Sequence, residues 1–382
     1  MLRRIFFSLL LLLICLFTSS LSALAAPDVS ARACVVIEAE SGRVLYQKNA
    51  QERLPMASTT KIITALVALE QGNREDVVKI SSSAAGTEGS SMYLESGETM
   101  TLEELLYGLM LASGNDAAVA IAEHFGGIDA FVTLMNEKAE QIGAKNSHFS
   151  NPNGLPDESH YSTAADMAKI TAYALKNPDF ARIVATKSYR IAGEGKAYPR
   201  SLTNHNKLLS MYDGCIGVKT GFTKVAGRCL VSAAKRNNMT LICVTLNAPN
   251  DWNDHSNLYD HLFDTYQIEE YVYVETILGE IPVSGSDILT LPFAALESFS
   301  YPLCEGETLT GKFTLPESVA APIEAGMQCG QLEVQLGTTT VKTLPLVVKG
   351  DAKKQWIPET IKRGFRLNLG TLYWSWLTLL HF

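Results

Sequence analysis

The stretch that most constrains this chain runs Pro55-Met56-Ala57-Ser58-Thr59-Thr60-Lys61-Ile62-Ile63-Thr64-Ala65-Leu66-Val67-Ala68-Leu69-Glu70. From Ile62 onward it is almost unbroken in apolar residues, without Gly or Pro, which is the pattern of a helix buried on all sides. With 382 residues and 47% hydrophobic content the chain is long enough to bury such a helix in a large core, and its length suggests two or three domains. Ser58 and Lys61 stand at the helix entrance. Three positions apart in a helix, their side chains share one face, so the Lys61 nitrogen reaches the Ser58 hydroxyl. Serine alone is a poor nucleophile at neutral pH, but a lysine in a dry site gives up its proton more easily and can then take the serine's. The helix N-terminus adds a positive dipole end and a free backbone N–H at Ser58.

Residues 1–26 read as a secretory signal: Arg3 and Arg4, an apolar run from Ile5 to Phe17, then Ala23-Leu24-Ala25 as a small-residue cleavage site. The run is too short to span a bilayer. Lipid attachment at Cys15 is rejected, because bulky Ile14 precedes it and apolar residues continue past it. The formal charge is -8, and removal of Arg3 and Arg4 makes the exported chain more acidic still, which argues against nucleic acid as a partner. Loss of Cys15 takes the seven cysteines to six, in a compartment that permits disulfides. Cys34, Cys229 and Cys243 sit in apolar runs as buried thiols, whereas Cys304 and Cys329 share a later region and are a possible pair. No Cys/His spacing resembles a zinc site, and no metal or other cofactor is expected.

Residues 33–39 and 43–46 are strands flanking the turn Glu40-Ser41-Gly42. Thr101-Leu102-Glu103-Glu104 is a capping box opening a helix that stops at Ser113-Gly114-Asn115, and a second helix spans 116–125. A tripeptide of small polar residues between two apolar helices fits an enclosed cleft or a plain helix–helix turn. Residues 151–158 read as a loop, 163–175 as a helix, 217–222, 229–234 and 239–246 as strands, and 256–266 as a closing helix. Strands from both chain ends around a helical middle predict an α+β domain with an antiparallel sheet. From about Glu269 short strands separated by Gly, Pro and Ser predict a small all-β domain.

Three patterns now stand in order: Ser58-Thr59-Thr60-Lys61, Ser113-Gly114-Asn115 and Lys219-Thr220-Gly221. Together they resemble the Ser-x-x-Lys, Ser-x-Asn and Lys-Thr-Gly motifs of the serine penicillin-recognising enzymes. The flanks Pro55-Met56-Ala57, Asn115-Asp116-Ala117-Ala118, Asn151-Pro152-Asn153-Gly154-Leu155, His160-Tyr161-Ser162-Thr163-Ala164 and Phe222-Thr223 are similar to the low-molecular-mass D-alanyl-D-alanine carboxypeptidases, from about residue 33 to 266 and more loosely beyond. The resemblance implies a transpeptidase/β-lactamase-like catalytic domain over 27–268, with an antiparallel sheet flanked by helices and a helical subdomain. An all-β sandwich over 269–350 and an amphipathic tail over 351–382 would follow. It implies peptidoglycan stem peptides ending in D-Ala-D-Ala as substrate and covalent binding of β-lactam antibiotics. By motif, Ser58 would be the acylated nucleophile, Lys61 its base, and Ser113 and Asn115 the groups that relay protons and hold the substrate amide. The Lys219-Thr220-Gly221 strand with Thr223 would bind the terminal carboxylate, and the backbone N–H groups of Ser58 and Phe222 would form the oxyanion hole.

Two positions depart from relatives, which often have His where Asn153 stands and some of which carry an Arg after the last strand, where this chain reads Trp252-Asn253-Asp254-His255. Asp157 and Glu158 read as a solvated loop rather than a working pair. A β-lactamase with the same motifs and a non-catalytic cell-wall binding protein are the alternatives; the loop after the second motif matches the carboxypeptidases, and the motifs are intact. In the tail, Ile357, Ile361, Phe365, Leu369, Leu372, Trp376 and Leu380 recur at helical spacing opposite Lys362, Arg363 and Arg366. A membrane-surface helix is expected there, holding the enzyme at the outer face of a bacterial cytoplasmic membrane.

Overall fold

In the computed structural model, which describes residues 27–192 and 199–355, β1 (Ala33–Glu38) is buried along its whole length, so both its faces are covered. It pairs antiparallel with β2 (Val44–Lys48) through a turn in which Gly42 has φ +69°, a conformation that glycine adopts without strain. The other three strands come from the far end of this unit: β3 (Cys215–Thr223), β4 (Gly227–Arg236) and β5 (Met239–Leu246). The sheet runs β2-β1-β5-β4-β3, with β3 as an edge. Asn237 and Asn238, both at positive φ, make the two-residue turn joining β4 to β5.

The helical middle is α1 (Lys61–Gln71), α2 (Leu102–Leu111), α3 (Asn115–His124), α4 (Ile128–Ile142) and α5 (Ala164–Leu175). α1 is buried from Lys61 through Ala68, as its all-apolar sequence requires. The capping box at α2 is formed: Glu104 N–H donates to Thr101 Oγ1 at 3.2 Å, and Thr101 N–H donates to Glu104 Oε2 at 2.9 Å. α5 packs on β1 and β5, and α6 (Asp251–Thr265) covers β4 and β5. Because successive strand residues face opposite sides, Val35, Ile37 and Val244 join the core with the helices, while Thr245 and Ser232 meet His255 of α6.

Some elements escaped the sequence reading. α4 buries only Phe131, Met135 and Ala139, a single row that makes a thin signal. The short helix Pro178–Ala185 is set by its cap, since Asn177 Oδ1 accepts from the N–H groups of Asp179 and Phe180. α6 starts at Asp251, ahead of the expected Ser256, because its first turn buries Asp251, Asp254 and His255 against polar partners and so lacks an apolar period.

A second compact unit begins at Ile268. It is all-β: a six-stranded sheet and the pair Tyr266–Val272 with Phe299–Cys304, around a core that includes Phe293, Leu332, Val334, Leu344 and Leu346. Among the described residues no disulfide is formed, which corrects the possible Cys304–Cys329 pair. Cys304 ends a strand of the two-stranded pair, whereas Cys329 is buried within Gln328–Leu336 of the six-stranded sheet. The expected signal and most of the tail lie outside the described residues.

Candidate active site

Ser58 lies in a single 3-10 turn, Ala57–Thr60, that leads into α1. The preceding Ala57 has φ +50°, a strained value for a residue with a Cβ, and Ser113 of the second motif has φ +61°. Lys61 is fully buried, and its Nζ lies 3.0 Å from Ser58 Oγ, 2.7 Å from Asn115 Oδ1 and 2.6 Å from the Asn153 carbonyl. Burial first, and the nearby Lys219 second, push its pKa well below the ordinary lysine value, with Asp116 opposing. A neutral amine has two N–H donors and one lone pair. With the N–H groups on Asn115 and Asn153, the lone pair is left for the Ser58 hydroxyl.

The loop carrying Asn153 is clamped onto the helix entrance. Gly154 has φ +87°, and a Cβ there would stand 2.1 Å from the Ala57 carbonyl oxygen, so only glycine fits. Asn153 turns its side chain into its own loop, where Oδ1 accepts from Leu155 N–H at 3.1 Å, and only its backbone carbonyl meets Lys61. The departure from His at this position therefore leaves the Lys61 contact intact. His160 completes the clamp: Ser150 N–H donates to Nδ1 at 3.0 Å, so Nε2 carries the proton and donates to Thr60 Oγ1 at 2.8 Å. The Thr60 hydroxyl donates in turn to the Ala57 carbonyl at 2.8 Å, and Thr64 Oγ1 donates to the Pro152 carbonyl at 2.7 Å. Burial keeps His160 neutral by lowering its pKa to about 4.

The second and third motifs close the cleft. Asp116, fully buried, accepts from Ser91 Oγ at 2.6 Å and from the Met92 and Leu94 N–H groups at 3.1 Å, fixing the 90–94 loop beside Asn115. β3 passes so close to the nucleophile that a Cβ on Gly221 would lie 3.0 Å from Ser58 N. Lys219 on β3 is buried, donates to the Thr220 carbonyl at 3.0 Å, and has its pKa lowered by burial to about 7. A cleft of about 330 Å³ opens over Ser58, bordered by Ser113, Thr220, Gly221 and Phe222 from the motifs and by Arg228, Asp251 and Trp252.

The structure thus gathers Ser58, Lys61, Ser113, Asn115, Lys219, Thr220, Gly221 and Phe222 about one cleft. Thr223 sits at the turn beyond it, its hydroxyl accepting from Ala226 N–H at 2.9 Å. The described part of Asp157 and Glu158 agrees with a solvated loop, since both are exposed. Thr60, Asp116 and His160 were read from the sequence only as motif or flanking residues with no role of their own, and Arg228 was not picked out.

An antiparallel sheet whose edge strand carries Lys-Thr-Gly and faces a buried Ser-x-x-Lys helix entrance defines a serine enzyme of the penicillin-recognising class. A family model described as D-alanyl-D-alanine carboxypeptidase matches residues 20–250, and one described as penicillin-binding protein 5, C-terminal domain, matches residues 269–354. The chain belongs to the D-alanyl-D-alanine carboxypeptidase family. It is 35% identical over 346 residues to D-alanyl-D-alanine carboxypeptidase DacF of Bacillus subtilis, covering 87% of this chain and 88% of that one. It is 31% identical over 373 residues to D-alanyl-D-alanine carboxypeptidase DacA of Haemophilus influenzae, covering 92% and 90%. Among solved structures, penicillin binding protein 5 from Haemophilus influenzae aligns with TM-score 0.75 at 29% identity, covering 86% of this chain and 99% of that one.

Proposed function

We propose that the chain is a serine-type carboxypeptidase that removes the terminal D-alanine from peptidoglycan stem peptides through an acyl-enzyme on Ser58. The observation that carries this reading is the Lys61 amine, buried, depressed in pKa and 3.0 Å from Ser58 Oγ. The amine takes the hydroxyl proton as Oγ attacks the carbonyl carbon of the penultimate D-alanine. The oxyanion that forms is met by the N–H groups of Ser58 and Phe222. As the intermediate collapses, the C–N bond breaks and the proton returns to the leaving amine through Lys61 and Ser113. Water then adds to the acyl carbon of the ester, the bond between that carbon and Ser58 Oγ breaks, and Oγ takes back its proton as the shortened peptide leaves as a carboxylate. Asn115 orients both Lys61 and the substrate amide, and Lys219, Thr220 and Thr223 receive the terminal carboxylate. A β-lactam enters by the same attack and stays bound while its ester resists water.

The test is release of D-alanine from a defined pentapeptide. Ser58→Ala is expected to abolish both that release and covalent labelling by a fluorescent penicillin, with the melting temperature nearly unchanged. Surviving labelling contradicts the assignment.

We infer further that the chain is exported by residues 1–26 and held at the outer face of the cytoplasmic membrane by its tail. The sequence supports this through the Arg3/Arg4 and apolar leader and through the apolar and basic faces of 357–380. A chain ending at Gly350 should stay soluble and active on small peptides, while the full mature chain sediments with anionic vesicles. Equal partitioning of the two contradicts the anchor.

A further inference from the structure

A substrate that ends in a carboxylate needs a cation at the cleft, and the two motif lysines are poor sources of one. Lys61 is fully buried and committed to Ser58, Asn115 and Asn153. Lys219 is 1% exposed, and burial holds its pKa at about 7, so at neutral pH it bears only part of a positive charge. Arg228 is different in kind, because a guanidinium keeps its charge throughout the working pH range.

Arg228 lies on β4 directly across from Phe222 of β3, so the sheet register itself sets it beside the Lys-Thr-Gly strand. Its Nε and Nη2 donate to one oxygen of Asp251 at 3.1 and 2.8 Å, and its guanidinium carbon lies over the Trp252 ring, 5.4 Å from the centroid. The Asp251 side chain is 3% exposed while that of Arg228 is 40% exposed, so the acid is a buried seat and the guanidinium faces outward. A guanidinium has five N–H donors in a planar fork. Those not given to Asp251 make no hydrogen bond among the described residues. This is the geometry of a donor edge held ready for a planar anion.

We propose that Arg228 binds the terminal carboxylate of the substrate, with Asp251 and Trp252 as the residues that position its guanidinium. The proposal rests on the carboxypeptidase reading for its substrate. Lys207 is the competing cation: it borders the same cleft and is exposed. Its four-carbon stem has no comparable seat, and ordering it costs side-chain entropy that Arg228 has already lost.

The test compares substrates with and without the charge. For the full mature chain, Arg228→Ala should lower kcat/KM for an acyl-D-Ala-D-Ala peptide by about 10- to 100-fold, the usual loss for a charged hydrogen-bond partner. The same variant should leave kcat/KM for the peptide ending in D-alaninamide within about 2-fold of the parent, so the preference for the carboxylate collapses. Arg228→Lys should recover part of the preference, and Asp251→Asn should raise KM for the carboxylate peptide more than it lowers kcat. Acylation of Ser58 by benzylpenicillin and by its methyl ester gives the same comparison without peptide cleavage, so a failed carboxypeptidase reading and a failed Arg228 assignment give different results. Equal losses on the charged and uncharged members of each pair, no loss on either, or a collapse of preference in Lys207→Ala instead would overturn the proposal.

Discussion

The two units of this chain bury different kinds of side chain. Among the described residues, every buried polar or charged side chain lies between Glu38 and His255, in the unit with the Ser58 cleft. The interior of the all-β unit is aliphatic and aromatic, built on residues such as Phe293, Leu332, Val334, Leu344 and Leu346. Taking a lysine, an aspartate or a histidine out of water is costly unless its hydrogen bonds are replaced. In the first unit they are replaced: Lys61 has Asn115 and Asn153, Asp116 has the 91–94 loop, and His255 lies between Ser232 and Thr245. The difference teaches where the two units can be damaged. A change inside the first unit strikes chemistry and stability together, and a change inside the second strikes stability alone.

The sharpest break in that comparison is at Lys61. Lys61→Arg, always charged, and Lys61→Ala, without an amine, should each lower the acylation rate by about 10²- to 10⁴-fold, the span general-base catalysis supplies. Stopped-flow acylation with a reporter penicillin checks it, and near-parental rates contradict it. In the all-β unit, Leu346→Ala should cost about 2–5 kcal/mol in chemical unfolding while leaving turnover of a small peptide unchanged. A loss of turnover without unfolding would erase the division between the units.

Acid should strike the first unit through its buried histidines. His160 and His255 have folded pKa values lowered by burial to about 4 and about 3, from 6.5. Between those values and 6.5 the unfolded chain binds more protons than the folded one, so stability is present above pH 6.5 and is lost as pH falls through that window. Each unit of difference is worth about 1.4 kcal/mol. Both residues lie in the first unit, and residues 268–355 contain no histidine. Melting temperatures at stepped pH should therefore fall from about pH 6.5, the ordinary histidine value, downward. His255→Gln should flatten part of that fall, and an unchanged slope contradicts the assignment. The smallest effect is at Thr60. Thr60→Val leaves the His160 N–H and the Ala57 carbonyl without their partner, for a cost of about 1–3 kcal/mol and a modest loss of acylation rate. Wild-type stability in that variant would show that the clamp is not bearing on the helix entrance.

How much of this was readable beforehand follows from the kind of signal each part leaves. The sheet built from both chain ends, the buried α1 and the three-motif cleft could be read, because apolar periodicity and short fixed spacings are local. The clamp was hidden because it joins Thr60 to His160 and Thr64 to Pro152 across 100 and 88 positions of sequence. Arg228 was hidden for a related reason: its place in the cleft comes from strand register opposite Phe222, and register is set by the folded sheet. The start of α6 was missed because buried Asp251 and Asp254 look like surface residues until their partners Arg228 and Ser30 are brought to them. Gly154 and Gly221 showed as members of a flanking loop and of the third motif, and the reason each must be glycine became visible when Ala57 and Ser58 came against them.

The central claim is that Lys61 is a neutral amine in the folded enzyme and takes the Ser58 proton. The most direct measurement is the second-order rate of Ser58 acylation by a carboxylate-free ester or amide, which removes the substrate carboxylate that Lys219 and Arg228 would bind, followed from about pH 5 to 10. The depressed pKa of Lys61 predicts a rate that has levelled well below 10.5, the ordinary lysine value. A rate that keeps rising to the top of that range, in an enzyme shown to stay folded, would contradict it.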